Sequence, residues 1–356
     1  VDRLSAQTAY DIRLPGGRVL KTTPVFDTYW QFAWARQEVF MRRVAGSAPP
    51  WTEDPILRVH RFTNTYRASD RVSQYLIRHV IYEGSQDAEE VFFRTILFKL
   101  FNKIETWENL SASVGTPSWR DFSFDAYAKV LDGLLDEGER VYSAAYIMPS
   151  PAFGSPRKHR NHLRLIEHMM ADQAPAKLAK SGSLRAAFEF LRGYPSFGDF
   201  LAFQFAIDIN YSELTDFSEM EFVVAGPGAR DGISKCFKDT AGLTEAQIIE
   251  VMAERASAEF ERLGLNFQSL WGRNLQLIDC QNVFCEVSKY ARVAHPEIEG
   301  VSGRTRIKQK YSPQSNPAPQ WYPPKWAING QVPLPTKVPA QAPTTKPSRQ
   351  RSLFAL

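Results

Sequence analysis

Leu191-Arg-Gly-Tyr-Pro-Ser-Phe-Gly-Asp-Phe-Leu-Ala202 opens a stretch, residues 191–235, that closes with Gly226-Pro-Gly-Ala-Arg-Asp-Gly-Ile-Ser-Lys235. Both ends read as a Pro/Gly turn that runs into a helix. Pro195 presets φ, and Gly198 permits close backbone approach or a positive φ. The helix that follows carries Phe200, Leu201, Phe203, Phe205, Ala206 and Ile207, apolar on most sides, as a buried helix requires. A turn of this kind leaves backbone N–H groups free at a helix N-terminus. Gly198 is therefore a candidate phosphate cradle, with an ordinary interhelical turn as the equal alternative. At the second end, Gly226 and Gly228 are candidates to hold a pyrophosphate or a DNA phosphate, with Lys235 reaching back as a point charge. The alternative there is a helix-capping turn with an exposed lysine. It is not a P-loop, because Gly-x4-Gly-Lys-Ser/Thr is absent.

Working outward, the apolar spacing predicts helices and few strands. A helix is expected from Asp27 or Thr28, either a suitable N-cap, with Trp30, Ala33, Trp34 and Phe40 on its apolar face. Residues 56–82 hold Arg67, Arg71, Gln74 and Arg78, which share one face if the segment is helical throughout. Such a face can place a DNA strand or a base, or it can be solvated. Residues 89–104 read as a helix with Phe92, Phe93, Ile96, Leu97, Leu100 and Phe101 buried. Helices are also expected in residues 122–146, from Arg157 onward and over residues 244–262. The string Phe222-Val-Val-Ala225 is too short for a sheet, so the body reads as all-α.

Composition sets bounds. The chain has 356 residues, 44% hydrophobic and 13% aromatic, enough for a large core. Its three cysteines lack Cys-x-x-Cys spacing, which argues against a disulfide scaffold or a zinc ribbon. His159 and His162 stand at i, i+3, but neighbouring cations and the lack of a matching carboxylate favour a solvated or phosphate-facing surface, so no metal is expected. No leader or membrane-length apolar run is visible, so the expected place is intracellular, cytoplasmic or nuclear, and not secreted. The net charge of +4 hides an asymmetry: nine Lys or Arg and no acidic residue follow Glu299. Ten of the 23 prolines lie from Ser312 on, with Trp321 and Trp326 among them. This tail is expected to be extended or wrapped along the body, and its charge suits a polyanion or simply solvation. The expected division is an arm, residues 1–25, a helical body, residues 26–311, and the Pro-rich basic tail, residues 312–356.

The most chemical stretch is Leu277-Ile-Asp-Cys-Gln-Asn-Val-Phe-Cys-Glu-Val-Ser-Lys-Tyr-Ala-Arg292. As a helix it puts Asp279, Asn282, Glu286 and Lys289 on one face within an apolar surround. Asp279 or Glu286 could act as general base, Lys289 could neutralise a phosphate, and Asn282 with Gln281 could read a base edge. The alternative is an i, i+3/i+4 salt-bridge ladder. Gln204 and Asp208 repeat the logic at i, i+4 on the apolar helix after the first turn; as buried polar groups they need partners. Asp208 is kept as a candidate catalytic residue.

The 191–202 turn resembles the helix-hairpin-helix of DNA glycosylases, where it grips a backbone phosphate. Ser196 stands in place of the usual first glycine. Phe200 stands where bifunctional members carry a lysine, so Schiff-base chemistry does not carry over. A wider set comprises Asp54-Pro-Ile-Leu57, Phe62-Thr-Asn-Thr-Tyr-Arg67, Asp70-Arg-Val-Ser-Gln-Tyr-Leu76, Phe101-Asn-Lys103, Ala145-Tyr-Ile-Met148, Gly226-Pro-Gly228, Asp279-x-Gln-Asn282, Phe284-Cys-Glu286 and Lys289-Tyr290. Together these resemble the helical domain of 5-hydroxymethyluracil DNA kinases, a group also called alpha-glutamyl/putrescinyl-thymine pyrophosphorylases, over residues 26–310.

The resemblance implies an all-helical, DNA-glycosylase-like body and thymine hypermodification. It further implies DNA as partner, a flipped thymine-derived base, phosphate or pyrophosphate chemistry at the base's 5-substituent, and ATP with Mg2+ as cofactors. The missing P-loop is the departure from a kinase. The leading expectation is a DNA-base-modifying enzyme in which Gly198, Gly226, Gly228 and Lys235 hold phosphates. Arg67, Arg71 and Gln74 would place strand or base, and Asp279, Asn282, Glu286, Lys289 and Asp208 would form the polar site. The rivals are a base-excising glycosylase and a non-catalytic binding module for modified DNA.

Overall fold

A computed structural model describes residues 10–312 and 319–333. The described residues start with a hairpin, β1 (Asp11–Arg13) and β2 (Val19–Thr22), turned by Gly16 and Gly17 at φ 80° and 79°. Then comes α1 (Pro24–Val44). Its N-cap is Thr23, whose hydroxyl accepts from the Val25 N–H at 3.1 Å. The expected cap at Asp27 or Thr28 is thus one turn late: both lie buried in the first turn, behind a Pro24 that suits position N1.

Asp54 caps α2 (Pro55–Val59). The next segment is not one helix. A single 3-10 turn (Arg67–Ser69) leads into α3 (Arg71–Tyr75) and then a π-helical run (Leu76–Ile81). Arg67 and Gln74 are consequently buried and Arg71 is exposed, so the expected shared face does not form.

Further on are α4 (Ala88–Phe101), α5 (Ile104–Val114), α6 (Phe124–Asp136), α7 (Lys158–Ala171), α8 (Ala174–Ala179), α9 (Leu184–Arg192) and α10 (Asp199–Ile209). Every residue of α4 from Glu90 to Phe101 is buried, as is α10 from Leu201 to Ile209, which fits their all-round apolar sequence. The turn between α9 and α10 puts Ser196 at φ 69° and leaves Gly198 exposed as the N-cap of α10. Asp199, just inside that helix, pairs with Arg192 at 2.7 Å.

The last helices are α11 (Pro227–Cys236), α12 (Glu245–Arg262), which starts on a Thr244/Gln247 capping box, and α13 (Leu277–Ala294). Between α11 and α12, β3 (Phe237–Asp239) pairs with β2, giving a three-stranded antiparallel sheet. The body is therefore mostly helical, consistent with the expected all-α class, and this small sheet is an addition to it. Its third strand is invisible to local pattern because its partner lies more than 200 residues away.

Helix α13 is the axis, with α1, α11 and α12 packed on it. Gly232 makes the closest approach: a Cβ there would stand 2.1 Å from the Phe284 carbonyl oxygen. Residues 319–333 lie along the body. Tyr322 is fully buried with its hydroxyl 2.8 Å from Ser69 Oγ, Trp321 N–H donates to Gln74 Oε1 at 2.7 Å, and Arg273 sits 3.8 Å over the Trp326 ring. The rest of the Pro-rich stretch lies outside the described residues.

The Gly232 contact is backbone against backbone and has no rotamer to relax. Gly232→Ala is expected to destabilise by about 3 kcal/mol or more, whereas Gly198→Ala, with open space at its Cβ, stays within about 1 kcal/mol. Denaturant midpoints of the two variants check this.

Candidate functional site

Three charged side chains meet in the interior. Arg67, from the 3-10 turn, donates through Nη1 to Asp208 Oδ1 of α10 at 2.8 Å. Lys99 of α4 places Nζ 3.0 Å from Asp208 Oδ2 and donates to Asn102 Oδ1 at 2.8 Å. Arg67 is 3% exposed, Lys99 3% and Asp208 0%. Arg67 also donates to the Tyr211 hydroxyl at 3.0 Å and, through Nε, to Gln204 Oε1 at 3.1 Å. From Gln204 the chain of polar contacts continues to Gln281 at 3.4 Å and on to Cys285 Sγ at 3.1 Å, both on α13.

Burial disfavours each of these charges, so their mutual placement decides the outcome. For Asp208, burial pushes the carboxyl pKa up, but Arg67 and Lys99 overcome it and hold the group below the usual range. For Arg67, burial works against the charge and Asp208 more than offsets it. Lys99 differs. Burial pulls its ammonium below the usual lysine range; Asp208 opposes this and Arg67 reinforces it. Two cationic groups thus share one carboxylate, and the site has an excess of positive charge when Lys99 is protonated.

An aromatic cover lies over the cations. The Tyr146 ring centroid is 4.7 Å from Lys99 Nζ and 6.0 Å from the Arg67 guanidinium carbon. Tyr146 is held at φ 53°, a left-handed conformation uncommon for an aromatic residue, and its ring stacks on Phe200 of α10 at 5.8 Å and 14°. Phe200 in turn presses on the start of α11: a Cβ on Gly226 would stand 2.4 Å from its ring. Gly228 is similarly close to Cys285, with 3.0 Å from its would-be Cβ to the sulfur. Both glycines therefore serve close packing of the α11 N-terminus against α10 and α13.

The polar face of α13 is put to use in holding the loop that delivers Arg67. Glu286 accepts from the Thr63 N–H at 2.9 Å and pairs with Lys289 at 2.7 Å. Asn282 donates to the Asn64 carbonyl at 2.8 Å and accepts from Thr63 Oγ1 at 3.3 Å. Asp279 accepts from the Arg67 N–H at 2.8 Å and from the Gln276 N–H at 3.0 Å. Burial, with Glu219 adding to it, pushes the Asp279 carboxyl up to about 7. Asp70, which accepts from the Asn64 N–H at 2.6 Å, is likewise pushed up to about 7 by burial.

Of the residues singled out from sequence, Arg67 and Asp208 come together directly, and Asp279 touches Arg67 through its backbone. Asn282, Glu286 and Lys289 stand behind them. Gln74 donates to the Ala68 carbonyl at 2.8 Å and receives the Trp321 N–H, so both ends of its amide are engaged within the chain. Lys235 is turned inward: its Nζ donates to the Ser288 carbonyl at 3.0 Å and lies 3.6 Å from Asp231. It does not reach back over the glycine turn as a surface charge, because residues 300–302 cover it and the Ser302 N–H binds the same Asp231. Gly198 and Arg71 are on the surface.

Lys99 and Tyr146 were missed. Lys99 had a readable signal, a lone cation in the otherwise apolar string Ile96-Leu-Phe-Lys-Leu-Phe101. Tyr146 had none in spacing, since it sits in an irregular connection, residues 137–157.

The model of one protein family, described as the 5-hmdU DNA kinase helical domain, matches residues 23–300. The chain belongs to this family. A relative from Bacillus phage SP10, named 5-hmdU DNA kinase, is 26% identical over 286 residues, which covers 75% of this chain and 45% of the relative. The chain thus spans less than half of that relative's length. No solved structure matches the chain. No helix among the described residues is long and apolar enough to cross a membrane.

If the Asp208 carboxylate neutralises Arg67 and Lys99, its removal leaves buried cations unpaired. Asp208→Asn is expected to lower unfolding free energy by about 3–5 kcal/mol. Arg71→Ala, at an exposed position, should change it by less than about 0.5 kcal/mol. Urea titration of both variants tests the ranking.

Proposed function

We propose that this helical chain binds DNA and presents 5-hydroxymethyluracil for phosphorylation at its 5-substituent. Membership of the 5-hmdU DNA kinase helical-domain family supports this reading, as does the name of the phage relative. The observation that carries it is the buried Arg67–Asp208–Lys99 group beneath Tyr146, which offers more positive than negative charge to an oxygen-bearing or anionic 5-substituent. Desolvated cations of this kind act on developing phosphate charge far more strongly than surface lysines do.

The phage relative's kinase name supports ATP as phosphoryl donor, with Mg2+ as its usual companion. Among the described residues, no group of three or more His, Cys, Asp or Glu is placed to hold a metal ion. Asp208 and Asp279 already accept from protein donors within 3.0 Å. A surface cavity of about 190 Å3 is lined by Gln86, Ala88, Val91, Ala179, Glu213 and Leu214, without a basic side chain for a triphosphate. The chain also lacks a P-loop sequence. The Arg67–Asp208–Lys99 group is accordingly read as handling the DNA substrate.

Duplexes carrying one central thymine or one central 5-hydroxymethyluracil test the reading by fluorescence anisotropy at several salt concentrations. Salt-dependent binding is expected, with the hydroxymethyl duplex preferred about tenfold and the preference lost in Lys99→Met. Nucleoside mass spectrometry of the same DNA should show no base loss. Equal binding of both duplexes contradicts the proposal, and an abasic product would establish base excision instead.

A further inference from the structure

We propose that Tyr146 fills the slot meant for an extruded pyrimidine of DNA, and that the segment bearing it swings out when the base enters. The inference rests on the substrate-handling role proposed above. The slot is bounded by the Phe200 ring on one side and by Arg67 and Lys99 on the other, and a planar ring already occupies it. Arg67 is held in place from behind by Gln204, whose own amide nitrogen donates on to Gln281. A pyrimidine in the place of Tyr146 would keep the stack on Phe200 and point its 5-substituent at the cations.

The connection carrying Tyr146 is anchored on both sides of that residue. Residues 137–157 form a long irregular segment of the kind that commonly serves function. It is pinned before the apex: the Ser143 N–H donates to the Phe101 carbonyl at 2.9 Å, Thr106 Oγ1 to the Val141 carbonyl at 2.9 Å, and the Tyr142 hydroxyl lies 2.7 Å from His162 Nδ1. It is pinned again after it: His162 Nε2 meets the Pro149 carbonyl at 2.9 Å, and Asn161 binds Ser150 and Ser155. Between the anchors, residues 144–147 carry the strained Tyr146 pointing inward and Ile147 pointing outward, 71% exposed. An exposed aliphatic side chain beside a base slot is suited to fill the gap that an extruded base leaves in the duplex.

The test uses the whole chain and single-stranded and duplex oligonucleotides bearing one 5-hydroxymethyluracil or one thymine. Tyr146→Ala removes the competing ring, and the modified oligonucleotide should bind roughly three- to tenfold more tightly with its preference over thymine kept. Phe200→Leu removes the stacking wall and should weaken binding about tenfold. In the wild-type protein, amide hydrogen exchange of residues 144–147 should quicken on binding the modified DNA. Weaker binding by Tyr146→Ala with unchanged exchange at 144–147 would overturn the slot while leaving the substrate-handling role standing. No preference for the modified DNA in the wild type would overturn both.

Discussion

A charged trio cannot be buried unless its members are delivered from separate parts of the chain to within hydrogen-bond distance, and much of this architecture serves that delivery. Arg67 arrives on a 3-10 turn, Lys99 on α4 and Asp208 on α10. Two helices buried from all sides, α4 and α10, fix Lys99 and Asp208 against each other. Arg67 has no such helix. Its position depends on the loop before it, which α13 holds through Asp279, Asn282 and Glu286. In that arrangement the carboxylates and amide of α13 each take up a backbone group of the loop, while Arg67, Lys99 and Asp208 face one another across the interior.

The same logic extends outward. Arg36 is buried on α1 and donates to the Thr63 carbonyl and to Asn64 Oδ1, so the loop is gripped from two helices. Residues 319–333 close the far side: Tyr211, which receives a bond from Arg67, meets the Trp326 ring edge-on at 5.7 Å, and Lys325 donates to the Ser212 carbonyl at 2.7 Å. A Pro-rich segment has little backbone freedom to lose on docking, which makes it a suitable brace for a site that must hold its shape.

How much of this could be read from sequence varies with the range of the interaction. The helices after residue 240 were legible because their caps and apolar stripes are local; Thr244 with Gln247 is a capping box written in four residues. In residues 56–82 the shared face was conditional on a continuous helix, and burial of Arg67 and Ser69 goes with a 3-10 turn, a short α-helix and a π-helical run instead. On α13, Asp279, Asn282 and Glu286 all bind the 63–67 loop, and spacing cannot tell a catalytic carboxylate from one that receives loop N–H groups. Lys235 shows the same limit: a lysine after a glycine turn looks like a phosphate ligand until residues 300–302 cover it. Tyr146 lies beyond any periodic signal.

The central claim is that the DNA base is handled at the Arg67–Lys99–Asp208 group and not at the basic surface. Photocrosslinking with DNA that carries one 5-iodouracil, followed by mass mapping of the joined peptide, tests it most directly. The account predicts attachment to Phe200, the ring that walls the space beside the buried cations. Attachment confined to the basic residues 304–310, with none at that ring, would contradict it.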